Sequence, residues 1–578
     1  MRAFQYFART IPWQTLVVVS ALLVSGVLSG LGMAALFPVL EIVLEGGAGG
    51  AGVTSDFGLR LLSVLGAVGV PGELEPLLAV TLAIFALKAV VLLLAKRQVG
   101  YAVTKVATGL RLRLLRALLR TNWSYYTRLP IGQATNALTS EADRAGLTYS
   151  LVTQVVQFAI LVVIALALAF AISWQATLAV GAAGMLLTGA LRFLVRMAGR
   201  AGRRQTRLLR SLAAGLTDVL GAAKLLRATA REPLVGDLLE SDTRRLNRAL
   251  RKQVLAKEAL TVSHEPLAIA FILAGVWVAV RIVNMPAAEI TILGFLFIRT
   301  LGDVSRVQRR YQSMSINESA LWSILELLEG AEAEEEPQLG TRIADLEHGL
   351  ALRGVTVVYD DRTILDTVNL EVPAGSITAV IGPSGSGKTT VADLFVGFVT
   401  PLGGTVEVDG IPLAELDLSA WRHGIGYVAQ EMLLLNDTIR TNVTLGDSEI
   451  SDEAVEQALR DADAWEYVSQ LPDGLDAPVG ERGALLSGGQ RQRIQIARAL
   501  VMKPRLLVMD EATAALDEQT EAAVLETIAH LRGRTTVVAI SHQPAIVDVA
   551  DRVYRIEGGQ ARLTKGGGSE APSVEGVA

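Results

Sequence analysis

Residues 382–389 read Gly-Pro-Ser-Gly-Ser-Gly-Lys-Thr, a glycine-rich stretch between the apolar run Ile377–Ile381 and the helical pattern Thr390–Phe398. A strand, a glycine-rich loop and a helix in this order are the context of a phosphate-binding P-loop. The glycines let backbone N–H groups point at a phosphate, and the helix N-terminus adds partial positive charge. The predicted nucleotide-binding residues of this stretch are Gly382, Ser384, Gly385, Gly387, Lys388, Thr389 and Thr390.

An acidic pair further along the chain predicts hydrolysis of the bound nucleotide. The apolar run Leu506–Met509 ends in Asp510 and Glu511. With a P-loop in the same domain, we expect Lys388 to reach the β- and γ-phosphates. We expect Asp510 and the Thr389 hydroxyl to hold Mg²⁺, and Glu511 to orient or deprotonate the attacking water.

Residues 486–490, Leu-Ser-Gly-Gly-Gln, resemble the signature motif of ABC ATPases, and they lie between the P-loop and the acidic strand as in that family. The resemblance covers almost all of residues 348–560 and implies that ATP and Mg²⁺ are the cofactors. It implies that Glu511, His542 and Gln430 are catalytic, and that Gln430 also reaches the metal. The further ATP contacts that it implies are Tyr359 as the adenine-stacking residue, Asp517 of the D-loop, and Ser487, Gly488, Gly489 and Gln490 of the signature.

The same resemblance implies that two chains work together. In the family, ATP lies between the P-loop of one chain and the signature motif of the other. This chain carries one of each, so the implied partner is a second copy, in a homodimer with two ATP sites. Two positions depart mildly from the family pattern: Ala515 stands where serine is usual, and Gln543 follows His542 where arginine is common in exporters.

Composition separates a membrane-like part from a soluble part. The chain has 578 residues, too many for one core. Apolar residues make up 51%, and the excess lies before about residue 300. The formal net charge of −5 offers no global basic surface, so no nucleic-acid partner is expected. The sequence contains no cysteine, which excludes disulfides and thiolate metal sites.

Six apolar segments before residue 304 are long enough to approach the ~20 residues that a membrane helix needs. The predicted spans are 15–40, 76–98, 150–172, 175–197, 266–284 and 287–303. The first reads as a membrane helix, since it is too long for a signal peptide. The stretches 96–144 and 192–257 are rich in arginine and lysine, which predicts that they face the cytoplasm. Both termini and the ATPase domain of this multi-pass protein are then cytoplasmic, and the membrane is the inner (plasma) membrane.

A charged linker separates two domains of different fold class. Residues 331–340 carry a run of glutamates followed by proline and glycine. The prediction is an all-α transmembrane domain with six helices and long cytoplasmic extensions at 1–330, a linker at 331–345, an α/β P-loop ABC ATPase domain at 346–565, and a disordered tail at 566–578.

The membrane part resembles the exporter branch of the ABC family. Residues 126–133 and 224–232 resemble exporter patterns around the two coupling helices, and 479–483 resembles the exporter X-loop. Residues 32–38 resemble the subgroup that includes lipid-linked oligosaccharide flippases. Arg299, within the sixth predicted span, either meets an anionic headgroup or is a snorkelling or internally paired arginine. His264 precedes Glu265 and Pro266, and the three residues are taken as a helix kink.

These features predict ATP-driven export or flipping of a lipid-like or amphipathic substrate across the bilayer, by alternating access in a homodimer. The alternative is the competent half of a heterodimeric multidrug or peptide exporter. A soluble ABC ATPase acting on DNA or ribosomes is disfavoured by the six apolar segments, and a mechanotransmitting ABC protein by their arrangement.

Overall fold

The computed structural model of the protein divides the chain into two compact units. The first comprises Met1–Arg120 and Leu129–Ala333, and the second comprises Thr121–Arg128 and Glu334–Ala578. The residues described are 2–45, 56–67, 69–175, 177–178, 222–278, 280–281, 287–337, 340–359, 362–430, 432–512, 518–541, 543 and 545–566, with 208, 212 and 219 as isolated positions.

The described residues of the first unit are mostly helical, with short turns between the helices. Its helices are α1 (Arg2–Thr10), α2 (Pro12–Glu45), α3 (Asp56–Ala67), α4 (Leu74–Arg120), α6 (Ile131–Asn136), α7 (Ala142–Ile172), α8 (Ala223–Ala228), α9 (Glu232–Val278) and α10 (Ala287–Ala333), and the short helix α5 (Trp123–Arg128) belongs to the second unit. A π-helical turn, Ala137–Glu141, joins α6 to α7.

Three stretches among the described residues are long and apolar enough to cross a membrane: Pro12–Val43, Leu74–Arg120 and Ile131–Ile172. They contain the first three predicted spans. The fourth span, 175–197, lies almost wholly outside the described residues, the fifth begins within α9, and the sixth lies on α10. With 47 residues, α4 is far longer than a bilayer requires. At 1.5 Å per residue it extends about 70 Å, against a hydrocarbon core of about 30 Å.

Small residues allow the membrane helices to pack closely. A Cβ placed on Gly26 of α2 would lie 2.6 Å from the Ile160 side chain of α7, and one on Gly30 would lie 2.6 Å from Ile164. Glycines at helix crossings let two backbones approach, because lipid supplies no hydrophobic force between helices. The α2–α7 contact therefore depends on glycine at these two positions.

The second unit is an α/β domain with two sheets. Its strands are β1 (Gly349–Tyr359), β2 (Arg362–Pro373), β3 (Ile377–Ile381), β4 (Gly403–Val408), β5 (Ile411–Pro412), β6 (Ile425–Val428), β7 (Leu506–Asp510), β8 (Thr536–Ser541), β9 (Arg552–Glu557) and β10 (Gln560–Lys565). Its helices after α5 are α11 (Lys388–Val396), α12 (Leu418–His423), α13 (Ile439–Thr444), α14 (Asp452–Asp461), α15 (Trp465–Ser469), α16 (Gly488–Leu500), α17 (Glu518–His530) and α18 (Ala545–Val549).

Strand order explains where a site can form. The antiparallel sheet has the order β2-β1-β4-β5, and the larger sheet has the order β10-β9-β3-β8-β7-β6. In the larger sheet the five strands β3, β6, β7, β8 and β9 are parallel to one another, and β10 pairs antiparallel with β9 at the edge. The carboxyl ends of β3, β6 and β7 therefore lie at one edge of the sheet, where ligands bind in open α/β sheets.

Apolar residues of the parallel strands pack on both faces of this sheet. Leu507 and Met509 of β7 belong to one core cluster, whereas Leu506 and Val508 belong to the other. All five residues of β7 are buried. This double burial is why the strand is an uninterrupted apolar run in the sequence.

The predicted fold class, a helical membrane domain followed by an α/β nucleotide-binding domain, is confirmed. The predicted domain boundaries stay predictions, and the structure adds two details. Helix α10 continues to Ala333, three residues into the predicted linker, and residues 121–128 lie in the second unit although the sequence placed them in the first domain.

Candidate nucleotide site and membrane cavity

The P-loop connects β3 to α11 through glycines in conformations that other residues rarely adopt. Gly385 has φ 75° and Gly387, the residue before α11, has φ 101°. A Cβ on Gly387 would also lie 2.9 Å from the side chain of Leu365. Both the backbone angle and the packing therefore require glycine at position 387.

The lysine of the P-loop is buried and directed back onto the loop. The Lys388 ammonium donates to the carbonyl oxygens of Gly382 at 3.0 Å and Pro383 at 2.9 Å. Burial lowers the pKa of Lys388, while the nearby carboxylates of Glu511 and Asp510 act in the opposite direction. The side chain is thus a desolvated cation at the N-terminus of α11, suited to a phosphate.

The acidic end of β7 lies beside the P-loop, as the strand order requires. The Thr389 hydroxyl donates to Asp510 Oδ1 at 3.3 Å, and Asp510 is 4% exposed. The Lys388 ammonium lies 3.7 Å from Glu511 Oε1. Strand β8 lies between β3 and β7 in the sheet, so the loops that follow β3 and β7 converge across it.

Gln430 joins the same cluster from the neighbouring strand. It follows β6, which pairs with β7, and its amide donates to Glu511 Oε2 at 2.8 Å. Glu511 has φ 48°, which is left-handed backbone for a residue with a Cβ. Such strain is common at functional sites and is held by surrounding contacts. Here the Glu511 N–H donates to the Ile540 carbonyl at 2.9 Å.

The predicted metal ligands have chemistry that suits Mg²⁺. Thr389 and Asp510 supply a hydroxyl and a carboxylate side by side, and Gln430 supplies an amide within the same cluster. Mg²⁺ prefers such oxygen ligands and keeps several waters. These residues fit the ion, and their roles as ligands stay predictions.

The signature motif forms the start of α16. Ser487 precedes the helix, and its hydroxyl accepts from the Gln490 N–H at 3.3 Å. The Gln490 side-chain oxygen accepts in return from the Ser487 N–H at 2.9 Å. This reciprocal capping box orders the motif, and it occupies the Gln490 side chain that the sequence assigned to ATP.

The structure brings five predicted residues together and leaves others apart or outside its description. Lys388, Thr389, Gln430, Asp510 and Glu511 form one cluster. Asp517 and His542 lie outside the described residues. Tyr359 ends β1 and is 42% exposed. All the predicted roles stay predictions.

One ionisable residue near this cluster had no signal in the sequence. Asp393 lies on α11, and its burial, followed by the charge of Asp510, raises its pKa to about 6. Burial also raises the pKa of Tyr359, and the charge of Asp393 adds to that rise. Residues of the helix interior carry no motif, so only the packing of α11 reveals this group.

A second candidate site lies within the first unit. A cavity of about 410 Å³ is lined by Ser25, Lys88, Leu92, Gln157, Phe158, Leu161, Phe295, Ile298, Arg299, Asp303 and Arg306. Lys88 of α4 and Arg299 of α10 both donate to the Ser29 hydroxyl of α2, at 2.9 Å and 2.7 Å. Arg306 donates to Asp303 at 2.8 Å and lies over the Phe158 ring.

The structure places a second cation, Lys88, in the same cavity as Arg299, for which the sequence named no neighbour. The sequence analysis did not identify Lys88, Ser29, Asp303 or Arg306 as residues of a site. The signal was present for Lys88, because a lysine within the predicted span 76–98 is by itself a functional-site hypothesis. His264 lies within α9, which continues past Pro266.

The fold and the nucleotide cluster define a membrane protein fused to a P-loop nucleoside-triphosphatase domain. Residues 16–301 match the family model described as ABC transporter transmembrane region, and residues 365–514 match the model described as ABC transporter. The chain belongs to the ABC transporter family.

Similar proteins agree with this membership. The ATP-dependent lipid A-core flippase of Paraburkholderia xenovorans is 31% identical, over 80% of this chain and 78% of its own. The protein of the same name in Ralstonia nicotianae is 33% identical, over 79% and 78%. The heterocyst differentiation ATP-binding protein HepA of Nostoc is 27% identical, over 79% and 75%.

The solved structure of a bacterial Atm1-family ABC exporter with ATP bound superposes with a TM-score of 0.75, covering 96% of this chain and 95% of that chain at 21% identity. The fold is therefore that of an ABC exporter. The family models and the flippase relatives make the chain an ATP-binding, ATP-hydrolysing transporter, and they support ATP-driven export. The predicted family, fold class and enzyme class are confirmed.

Proposed function

We propose that this protein flips or exports an anionic, lipid-like amphiphile across the inner membrane, as a homodimer that works by alternating access with ATP and Mg²⁺. The observation that carries the substrate class is the cationic cavity of the first unit. Among the lining residues that the structure describes, three are cationic, namely Lys88, Arg299 and Arg306, and one, Asp303, is a carboxylate.

The charge of this cavity favours an anionic headgroup. A cation at the centre of a bilayer costs about 3 kcal/mol on insertion scales, so such residues face a cavity or a partner. Arg306 has Asp303 as a partner, whereas Lys88 and Arg299 share a neutral hydroxyl. Both cations carry more donors than this one oxygen can satisfy. A phosphate offers several acceptor oxygens and would compensate both charges.

Apolar side chains beside these cations suit the rest of such a molecule. Leu92, Leu161 and Phe295 line the same cavity. A substrate with a charged head and an apolar body matches that combination. The name lipid A-core flippase, which two of the relatives carry, supports a lipid substrate for this chain.

The nucleotide cluster accounts for the energy source. We propose that Lys388 binds the β- and γ-phosphates, that Glu511 orients or deprotonates the attacking water, and that Gln430 holds Glu511 in position through its 2.8 Å hydrogen bond. When bound, Mg²⁺ would neutralise phosphate charge beside Thr389 and Asp510. The exposed Ser487 at the start of α16 would bind the ATP of a second copy, because each chain has one P-loop and one signature motif.

The test is ATPase activity and lipid translocation by the purified protein in vesicles. The probes are lipid A as an anionic lipid and phosphatidylcholine as a zwitterionic one, with Glu511→Gln as the inactive blank. We expect lipid A to stimulate hydrolysis, and both Lys88→Gln and Arg299→Gln to remove most of the stimulation while leaving basal hydrolysis intact. The matched control is Arg281→Gln, an arginine of the predicted fifth span that does not line the cavity.

Three outcomes would contradict parts of this proposal. Equal stimulation by phosphatidylcholine, or full stimulation in both cavity variants, would contradict the anionic substrate. Equal loss in Arg281→Gln would show that the effect is not specific to the cavity. Activity no higher than that of the blank would contradict the homodimer and favour the competent half of a heterodimeric multidrug or peptide exporter.

A further inference from the structure

We propose that Asp303 is a specificity-determining residue of the membrane cavity, because it compensates Arg306 and so sets the number of cations that a substrate can meet. The substrate class that follows, which rests on the proposed function, is a lipid whose headgroup carries two negative charges. Asp303 thereby disfavours lipids with a single negative charge, which are the more general kind of anionic lipid.

Three charged residues of α10 lie on one side of that helix. Arg299, Asp303 and Arg306 follow one another at spacings of four and three residues, and residues so spaced are neighbours on a helix surface. All three line the cavity of about 410 Å³. Because this spacing allows Asp303 to pair with either arginine, only the structure decides which cation stays available.

The structure pairs Asp303 with Arg306. The Arg306 guanidinium donates to Asp303 Oδ1 at 2.8 Å, and it lies over the Phe158 ring of α7 at 5.6 Å from the ring centre. The Asp303 side chain is 2% exposed, whereas that of Arg306 is 54% exposed. A carboxylate buried to this extent is unfavourable unless a cation compensates it. Arg306 therefore adds little net charge to the cavity.

The other two cations meet a neutral group. Lys88 and Arg299 both donate to the Ser29 hydroxyl, at 2.9 Å and 2.7 Å. A hydroxyl accepts their hydrogen bonds but compensates neither positive charge. Among the lining residues that the structure describes, two positive charges are therefore available to the substrate.

This number of charges distinguishes one lipid head from another. A head with two negative charges compensates both Lys88 and Arg299, whereas a head with one leaves a cation uncompensated within the membrane, which is unfavourable. Without Asp303, a third cation would be available and singly charged heads would bind more tightly. One unit charge within about 12 Å of the head changes affinity by about tenfold at an effective dielectric constant near 20.

The test compares two lipids in vesicles of phosphatidylcholine: phosphatidylglycerol, which has one negative charge, and cardiolipin, which has two. The measured quantity is the mole fraction of each lipid that gives half-maximal stimulation of ATP hydrolysis. We expect cardiolipin to act on the unaltered protein at a mole fraction about tenfold lower. Asp303→Asn should lower the value for phosphatidylglycerol by about tenfold.

Removing the arginine should have the opposite effect. Arg306→Gln leaves the carboxylate to compensate Lys88 or Arg299, so the value for cardiolipin should rise by about tenfold. The double variant, Asp303→Asn with Arg306→Gln, has the net charge of the unaltered cavity and should regain the preference for cardiolipin. An ion pair that only stabilised the fold would weaken stimulation in both single variants, without recovery in the double variant.

The matched control is Asp143→Asn, which breaks a 2.9 Å ion pair with Arg111 outside the cavity and should keep the preference. An equal shift in this control, an unchanged preference in Asp303→Asn, or a double variant that resembles either single variant would overturn the role of Asp303. If Asp303→Asn does not fold, Arg306→Gln and the double variant still decide.

Lipid A, measured alongside, separates this inference from the proposed function. Stimulation by lipid A but by neither of the two other lipids would overturn the preference for two charges and leave the proposed function standing. Stimulation by none of the three would refute both.

Discussion

Replacing Glu511 by glutamine separates the binding of ATP from its hydrolysis. The change keeps the shape of the side chain and removes a charge that lies 3.7 Å from Lys388. It also replaces the carboxylate that accepts the hydrogen bond of the Gln430 amide by an amide, which has one acceptor oxygen and one donor nitrogen. Because general-base catalysis contributes about 10²–10⁴-fold, we expect turnover to fall by that factor, equivalent to about 3–5 kcal/mol in the activation free energy.

Affinity for ATP should change in the other direction. At an effective dielectric constant near 20, two unit charges at the Lys388–Glu511 distance attract by about 4 kcal/mol. Lys388 is 4% exposed and Glu511 15%, so water screens this attraction only weakly. Without the carboxylate, the ammonium is free of a competitor for the γ-phosphate. Glu511→Gln should therefore bind MgATP at least as tightly as the unaltered protein.

Two measurements check this pair of expectations. Single-turnover hydrolysis of radiolabelled ATP gives the chemical rate, and equilibrium binding of a fluorescent ATP analogue gives the affinity. Glu511→Asp serves as the control, because it keeps the charge and shortens the reach. Turnover close to that of the unaltered protein would refute the assignment of Glu511, and a parallel loss of affinity would refute the competition with phosphate.

Two further predictions concern Asp393, which lies near the nucleotide cluster, and Ser487, at the start of α16. Burial raises the pKa of Asp393 to about 6 in the folded protein. Between about pH 4 and pH 6 the folded state therefore keeps a proton that the unfolded state has released, and the free energy of unfolding falls as the pH rises through this interval. Asp393→Asn should reduce this pH-dependent loss of stability by about 1–2 kcal/mol once solvent screening is considered. Thermal unfolding of both proteins at pH 4.5 and pH 7 measures the difference. An unchanged pH profile in the variant would contradict the burial of this carboxyl group. Ser487→Ala removes the capping box of α16 and should cost about 1 kcal/mol of stability, whereas Ser487→Thr retains the cap. If Ser487 also binds the ATP of a second copy, Ser487→Ala should lose more ATP hydrolysis than its lower thermal stability explains. Equal hydrolysis in Ser487→Ala and Ser487→Thr would argue against that role.

Much of the second unit was predictable because its signals are local. The P-loop requires glycine where φ is positive, the apolar run of β7 follows from burial on both faces, and Ser487 with Gln490 forms a cap over three residues. Each of these depends on residues close together in the chain. The division into a helical part and an α/β part was predictable for the same reason, since helical and strand periodicities are local patterns.

The geometry of the cluster around Glu511 was not predictable from the sequence. Gln430 and Glu511 meet at 2.8 Å although they are 81 residues apart, and Thr389 and Asp510 meet across 121 residues. These meetings depend on the order β3-β8-β7-β6, which no segment specifies by itself. The P-loop and the acidic strand end supplied Thr389, Asp510 and Glu511 as candidates, whereas Gln430 came only from the resemblance to a family.

By itself, the sequence determined which segments are helices, strands and phosphate-binding turns, and that the chain joins an apolar part to an ATPase. Tertiary structure alone decided that Lys88 and Arg299 share Ser29, from helices 59 and 270 residues away in the chain. It also decided that residues 121–128 pack on Phe398 and Arg422 in the second unit. The physical reason is that backbone conformation follows from neighbouring residues, whereas charge compensation and ring stacking depend on side chains that only the packed fold brings within a few ångströms.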